Sequence, residues 1–357
     1  MSTPGHALLL YCRAGFENEC AAEANHLAGE AGLSGYARVQ PDSGFVRFTL
    51  QDSLPWDEIA QRLPWNDWVF PRQRVVLVAR VDRLPAEDRV KPILDAVKQR
   101  GIKAGKVWFE TADTNEAKEL SSFLRSFAPH LERAFDKTGV MSKKPGAPTL
   151  HLFFEDSGSV DIGLSPADDA AEWPMGIPRL RMPRAAPSRS TLKLAEAFLS
   201  LMNERERETS LRPGLRACDL GAAPGGWTLQ LAERGLRVYA IDNGPIADAV
   251  LETGLVEHVR ADGFTWRPPH KLDWMVCDMV EQPARVAALI GDWVASGRCR
   301  RSIFNLKLPM KKRFDEVQRC REILAERLAD TGQPWVLRMR HLYHDREEIT
   351  AYLGPAA

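Results

Sequence analysis

The sequence predicts an α/β protein, with a doubly wound sheet in its C-terminal half and smaller α+β units before it. Three observations carry this. Arg216-Ala-Cys-Asp-Leu220 reads as an apolar strand that runs into a loop of small residues (Gly221, Ala222, Ala223, Pro224, Gly225, Gly226) and then a helix from Trp227. Roughly twenty residues on, Val238-Tyr-Ala-Ile-Asp242 is a second strand that ends in a carboxylate. The N-terminal half also alternates strands and helices, but closes on a hairpin. Strand–helix repeats of the first kind build mainly parallel sheets, whose ligands bind at the carboxyl ends of the strands.

Taken in order, Ala7–Cys12 is strand-like and Glu17–Gly29 helical. Gly44–Leu50 alternates as a strand does, and Pro55–Leu63 is a short helix. Arg74–Val81 is β-branched, and a helix follows over Ala86–Arg100. Lys106–Thr111 is a strand, Glu116–Thr138 a long helix, and Thr149–Phe154 pairs with Ser159–Gly163 around Asp156-Ser-Gly158. These elements are read as two consecutive α+β units, 1–80 and 81–167, rather than one parallel sheet. The first is expected to be ferredoxin-like. The strand, long helix and hairpin of the second resemble a THUMP domain, a module attached to RNA-modifying enzymes. Residues 168–190 follow as a linker. From Pro174 to Ser190 it holds four prolines and four arginines without an acid, so it is expected to lie extended. Residues 191–357 form the last domain.

The loop after Leu220 is suited to a nucleoside. Small residues admit a ligand close to the backbone, and the helix start offers unpaired N–H groups. Asp242 is placed to accept from two ribose hydroxyls. The order Gly221-x-x-x-Gly225-Gly226, with Pro224 inside it, lacks the G-x-G-x-x-G spelling of a dinucleotide site. Asp219-x-Gly221-x-x-x-Gly225 resembles the first motif of Rossmann-like class I S-adenosylmethionine methyltransferases, and Asp262 lies where that family contacts adenine. A purely structural turn explains such a loop standing alone. Loop, Asp242 and Asp262 in succession point to the cofactor S-adenosyl-L-methionine, with Ser190, Gly221, Ala223, Pro224, Gly225, Gly226, Asp242, Asp262 and Asp278 around it.

Composition narrows the rest. The 357 residues carry 48 basic and 48 acidic side chains, so no global field draws in a polyanion, and nucleic-acid contact must come from local patches. The six cysteines show no C-x-x-C pair and no zinc spacing, so no metal is expected. No apolar run approaches the roughly 18 residues of a membrane span. A cytoplasmic protein that does not bind membranes is expected.

Four residues stand at or near element ends: Lys193, Asp278, Lys307 and Glu348. Each alone has a dull reading, because lysines are usually solvated and a strand-end acid often caps the next helix. Lys307 fits that reading least, since it interrupts an apolar strand, Ser302–Pro309. In this order the four resemble the Lys-Asp-Lys-Glu tetrad of the FtsJ-like RNA ribose 2′-O-methyltransferases. The local words match as well: Ser188-Arg-x-x-x-Lys193-Leu, Asp219-Leu-Gly-Ala-x-Pro-Gly-Gly-Trp227, Asp278-Met279 and Arg346-Glu347 before a β-branched run. Across the whole chain the likeness is to the branch of that family that methylates a cytidine ribose in 23S rRNA. Asp278-Met-Val-Glu281 departs from the wider family's Asp-Met-Ala-Pro, in the substrate loop rather than the tetrad.

A ribose hydroxyl is a very weak acid, so it must be oriented and relieved of its proton as the methyl arrives. The resemblance assigns Lys307 as proton acceptor, with Lys193, Asp278 and Glu348 orienting it. A positive neighbour or burial would lower a lysine's pKa for that task. Glu347 is the alternative to Glu348, because one step along a strand reverses the face. Base methylation lacks its parts: no Asn/Asp-Pro-Pro-Tyr follows the fourth strand, and Cys277 has no Pro-Cys context. The expected RNA contacts are Arg179, Arg181, Arg184 and Arg189 on the linker and Lys311, Lys312 and Arg313 after Lys307. The expected partner is 23S rRNA or a large-subunit assembly precursor, not DNA, bound by a monomer. The rival reading is a non-catalytic RNA-binding or assembly factor. The intact tetrad and loop argue against it.

Overall fold

Residue by residue, the computed structural model describes 3–115 and 117–356, which fall into two compact units, 1–177 and 178–357. The first unit holds β1 (Pro4–Tyr11), α1 (Glu17–Glu30), β2 (Gly35–Arg38), β3 (Phe45–Pro55), α2 (Trp56–Arg62), β4 (Gln73–Val81), α3 (Val90–Gln99), β5 (Lys106–Glu110), α4 (Lys118–Thr138), β6 (Thr149–Asp156) and β7 (Ser159–Ser165). The first six have the ferredoxin-like order, β2-β3-β1-β4. The expected start of α4 at Glu116 lies outside the described residues.

Two separate α+β units were expected here, and one sheet is found. β4 pairs with β1 on one side and β7 on the other, giving the continuous order β2-β3-β1-β4-β7-β6-β5. The expected boundary at 80/81 thus falls at the end of a shared strand. β4 is buried from Gln73 to Ala79, as a central strand covered on both faces must be. The apolar residues of α4 recur at helical spacing, so Leu124, Phe127, Leu131 and Phe135 share a core with β6 and β7. The predicted hairpin forms in register, Thr149 facing Ser165 and Phe154 facing Val160.

Residues 168–177 are not a free linker. Asp169 Oδ1 accepts from the Trp65 amide at 2.9 Å, Arg74 bonds Asp169, and the Met175 amide donates to Glu110 Oε1 at 2.6 Å. At Gly176 (φ +67°) an added Cβ would overlap the Arg72 carbonyl, so only glycine fits.

The second unit holds α5 (Ser190–Leu201), α6 (Glu204–Ser210), β8 (Arg216–Leu220), α7 (Gly226–Ala232), β9 (Arg237–Ile241), α8 (Asp248–Leu251), β10 (Val256–Val259), β11 (Leu272–Cys277), α9 (Pro283–Ala295), β12 (Cys299–Lys307), α10 (Arg313–Leu328), β13 (Trp335–Arg340) and β14 (Glu348–Pro355). Its sheet order is β10-β9-β8-β11-β12-β14-β13. β8 through β12 run parallel, and the chain leaves β8 toward β10 before returning to β11. The β8–β11 seam is therefore the switch point, where ligands sit in such sheets. The last strand, β14, enters antiparallel between β12 and β13. This reversal brings the start of β14 to the carboxyl end of β12.

Candidate methyl-transfer site

The loop from β8 to α7 is built for close approach. Gly221 (φ +79°) and Gly225 (φ +107°) take backbone conformations closed to most side chains. A Cβ at Gly226 would meet Ser190 Oγ at 2.5 Å, which puts Ser190 against the loop as expected. Trp227 Nε1 donates to the Ser190 carbonyl at 3.0 Å, tying the first turn of α5 to α7. Asp242 Oδ2 accepts from the Ala223 amide at 3.0 Å and Oδ1 from the Gly244 amide at 2.7 Å. Each carboxylate oxygen keeps a lone pair for a hydroxyl. Asp262 is exposed, and its Oδ1 accepts from the Phe264 amide at 2.9 Å, so it also shapes a turn.

Asp219 ends buried beneath this loop. Its Oδ2 accepts from Thr228 Oγ1 at 2.7 Å, while Oδ1 has no hydrogen-bond partner among the described residues. Burial, with Asp278 and Asp242 adding repulsion against the Thr228 bonds, pushes its carboxyl up to about 7. An acceptor left over beside a glycine cradle fits a cationic nucleoside cofactor. Met279, whose side chain lies where Cβ atoms at Gly221 and Gly263 would go, walls the same loop. Neither role was foreseen. Met279 carries no sequence signal beyond following Asp278.

The four tetrad residues meet. Lys307 Nζ lies 2.6 Å from Asp278 Oδ1 and 4.0 Å from Glu348 Oε1. Lys193 Nζ bonds Glu348 Oε1 and lies 3.9 Å from Asp278 Oδ2. Two lysines and two carboxyl groups thus alternate around a ring. Lys307 and Glu348 are directly opposite in the β12–β14 ladder, so their side chains share a face. Glu347, one step earlier, instead pairs with Arg313 at 2.5 Å and is exposed. That pairing also engages Arg313, which was expected to face RNA.

For Lys193, burial pulls the pKa down, but Asp278 and Glu348 lead the pulls that outweigh it and raise the value above that of an ordinary lysine. Lys193 is therefore held charged, as a positive neighbour of Lys307 must be. Glu196, three residues along α5, is buried and accepts from the Tyr343 amide at 2.8 Å and the His344 amide at 3.0 Å. It fastens α5 to the segment leading into β14, and the i,i+3 spacing from Lys193 was its only sequence signal. Cys277 is fully buried, and burial pushes its thiol up to about 12, which does not suit a nucleophile.

Arg179, Arg181, Arg184, Arg189, Lys311 and Lys312 are all exposed. So are Val280 and Met310, each 91% exposed, on the segments that follow Asp278 and Lys307. Val280 lies in the Asp278-Met-Val-Glu281 stretch that the sequence placed in the substrate loop, though neither residue was itself expected to take part.

Family models match three successive segments: an RlmM ferredoxin-like domain over residues 6–75, the N-terminal region of ribosomal RNA large subunit methyltransferase M over 88–166, and an FtsJ-like methyltransferase over 186–317. The protein called ribosomal RNA large subunit methyltransferase M in Azoarcus sp. (strain BH72) is 54% identical over 347 residues, covering 97% of this chain and 95% of its own. The chain belongs to the ribosomal RNA large subunit methyltransferase M family. Its relative of the same name in Methylococcus capsulatus is 49% identical over 355 residues, 99% of each chain. Among solved structures, TrmN from Thermus thermophilus aligns over 98% of this family member and 99% of its own chain, at 16% identity and a TM-score of 0.34. Within this family member, no helix among the described residues is long and apolar enough to cross a membrane.

Proposed function

We propose that this chain transfers a methyl group from S-adenosylmethionine to the ribose 2′-oxygen of a cytidine in 23S rRNA. The observation that carries the reading is the closed ring of Lys193, Glu348, Lys307 and Asp278 at the carboxyl ends of β11 and β12, on the sheet whose switch point opens the cofactor loop. When bound, S-adenosylmethionine supplies an electrophilic methyl on a sulfonium. Gly221, Ala223, Pro224, Gly225, Gly226 and Ser190 would form its cradle, Asp242 would take the ribose and Asp262 the base, and Asp219 and Asp278 would offer negative charge to the sulfonium.

Lys307 is the proton acceptor. It bonds only one member of the ring closely, whereas Lys193 is clamped by carboxylates and kept cationic. Lys307, as a neutral amine, would take up at Nζ the proton that the 2′-hydroxyl gives up on methylation. Asp278 and Glu348 hold Lys307 in direction, and the fixed charge of Lys193 steadies the developing alkoxide. The exposed arginines of 179–189 and Lys311 and Lys312 supply phosphate contacts. Val280 and Met310 offer apolar surface to a base lifted from its stack.

The test is methyl transfer to 23S rRNA from cells lacking the activity, followed by digestion to nucleosides. Label in 2′-O-methylcytidine is expected. Label in a base-methylated nucleoside, or none while the cofactor binds, would reject the reading.

A further inference from the structure

Two residues inward from Lys307 and Glu348, on the same face of the sheet, Asn305 stands opposite Thr350. Both are fully buried, and so is Asp345. Asn305 Nδ2 donates to Asp278 Oδ1 at 2.8 Å, the same oxygen that Lys307 approaches to 2.6 Å. Asn305 Oδ1 lies 2.7 Å from Thr350 Oγ1. That hydroxyl in turn lies 3.1 and 2.9 Å from the two carboxyl oxygens of Asp345, whose Oδ2 also accepts from the Leu342 amide at 3.0 Å.

Counting protons gives this chain a direction. Asp278 beside Lys307 is a carboxylate and only accepts, so Asn305 must turn its NH₂ toward it and its carbonyl toward Thr350. A carbonyl only accepts, so the single hydroxyl proton of Thr350 goes to Asn305. Thr350 then has only lone pairs left to offer Asp345. The close contact between them is a hydrogen bond only if Asp345 brings the proton.

We propose that Asn305, Thr350 and Asp345 are positioning residues of the methyl-transfer site, a one-way hydrogen-bond chain with the Asp345 carboxyl as its first donor and Asp278 as its last acceptor. The inference rests on the reading of that site given under Proposed function. The surroundings of Asp345 agree: burial, then Glu348 and Glu196, push its carboxyl well above the usual range, against smaller opposing pulls from Lys193 and the Leu342 amide. The chain matters because an Asp278 held only by Lys307 is free to swing. Two donors on Oδ1 hold the carboxylate in one orientation, leaving Oδ2 toward Lys193 and Lys307 aimed at the substrate.

The experiment compares full-length wild type with Asp345→Asn, Thr350→Val and Thr350→Ser, reading kcat, KM for rRNA and for cofactor, and the pH–rate profile. Asp345→Asn keeps a neutral donor and should therefore lose less kcat than Thr350→Val. Thr350→Val breaks the chain without changing side-chain volume much. It should lower kcat by about 10- to 100-fold, the scale of a misplaced catalytic group, with both KM values unchanged and the pH–rate profile displaced. Thr350→Ser restores the hydroxyl and should recover most of that loss. A wild-type kcat in Thr350→Val overturns the proposal, as does a Thr350→Ser variant no better than the valine, which would make the site one of packing alone. The proton itself is read by infrared difference spectroscopy of wild type against Asp345→Asn at neutral pH. A carboxylic-acid carbonyl band is expected, and a carboxylate band in its place sinks the chain's direction even if Thr350→Val fails to fold. Because that band needs no turnover, a wild-type protein inactive on ribose would refute the functional reading separately.

Discussion

Lys307 and Lys193 have the same side chain and divide the work by what surrounds them. Lys193 sits between Glu348 and Asp278 and is locked as a cation, while Lys307 keeps one side open. Lys307→Met matches the length and apolar stem but offers no base. It is expected to leave thermal stability and cofactor affinity nearly unchanged while methyl transfer falls by about 10²–10⁴-fold, the usual cost of a lost general base. Full activity in that variant would remove Lys307 from the chemistry. Asp219 supplies a second residue-scale test. Its carboxyl is raised to about 7 by burial, so the folded protein without cofactor binds a proton there that the unfolded chain gives up near 4. The stability tied to that proton is full below about pH 4 and is lost as pH rises through about 7. Asp219→Asn should therefore lose less stability than wild type between pH 5 and 8 in denaturant titrations. Ionised Asp219 also attracts a sulfonium, so S-adenosylmethionine should bind more tightly as pH rises through 7, and the asparagine variant should show a flat profile by calorimetry. An equally steep profile in that variant would place the titration elsewhere.

At the scale of elements, α5 is the part that the tetrad depends on, and its motif announces Lys193 but not what holds the helix in place. Its first turn hangs on Trp227 and presents Lys193, and Glu196 in its middle grips the amides before β14. Glu196→Gln keeps the shape but gives up charge-assisted bonds worth about 1.5–3 kcal/mol each at most. A lower melting temperature is expected, together with a fall in kcat, since Lys193 and Glu348 lose their common anchor. Unchanged kcat at a temperature where the variant is folded would show that α5 holds its place without this grip. Element prediction was strongest where periodicity was long, as in α4, and for strands with β-branched runs, as in β4. It missed β2, four mostly exposed residues with no apolar alternation. It also read the stretch from Thr191 to Arg216 as helical without a break, although Asn203 and Glu206 form a capping box, spelled out by Asn-x-x-Glu, that starts α6 as a separate helix.

At the scale of the whole molecule, each unit has its own sheet and core, so each is expected to fold alone. A chain beginning at Pro178 should keep cofactor affinity and lose most affinity for structured rRNA, with the remaining binding steeply salt-dependent. Filter binding and calorimetry on that truncation check both halves of the statement. Equal rRNA affinity and activity would deny residues 1–177 a part in recognition. Starting at Pro178 rather than at the expected boundary near 191 matters, because residues 178–190 carry the four exposed arginines and Ser190. The ten residues before them are bonded to the first sheet.

The sequence alone pointed to the candidate cofactor loop, its two acids, and Lys193, Asp278 and Lys307 with either Glu347 or Glu348, because small-residue loops, strand-end carboxylates and a lysine inside an apolar strand are local signals whose order resembles a known tetrad. The tertiary structure decided what depends on pairing across the chain. Whether Glu347 or Glu348 joins the ring is a matter of register: β14 runs antiparallel beside β12, and Lys307 faces Glu348. That the N-terminal units share one sheet follows from β4 pairing on both edges, which no local pattern encodes. Asn305, Thr350 and Asp345 look like ordinary strand and loop residues until the same ladder stacks them behind Asp278. A hydrogen-bond chain between three elements exists only once those elements have been brought together.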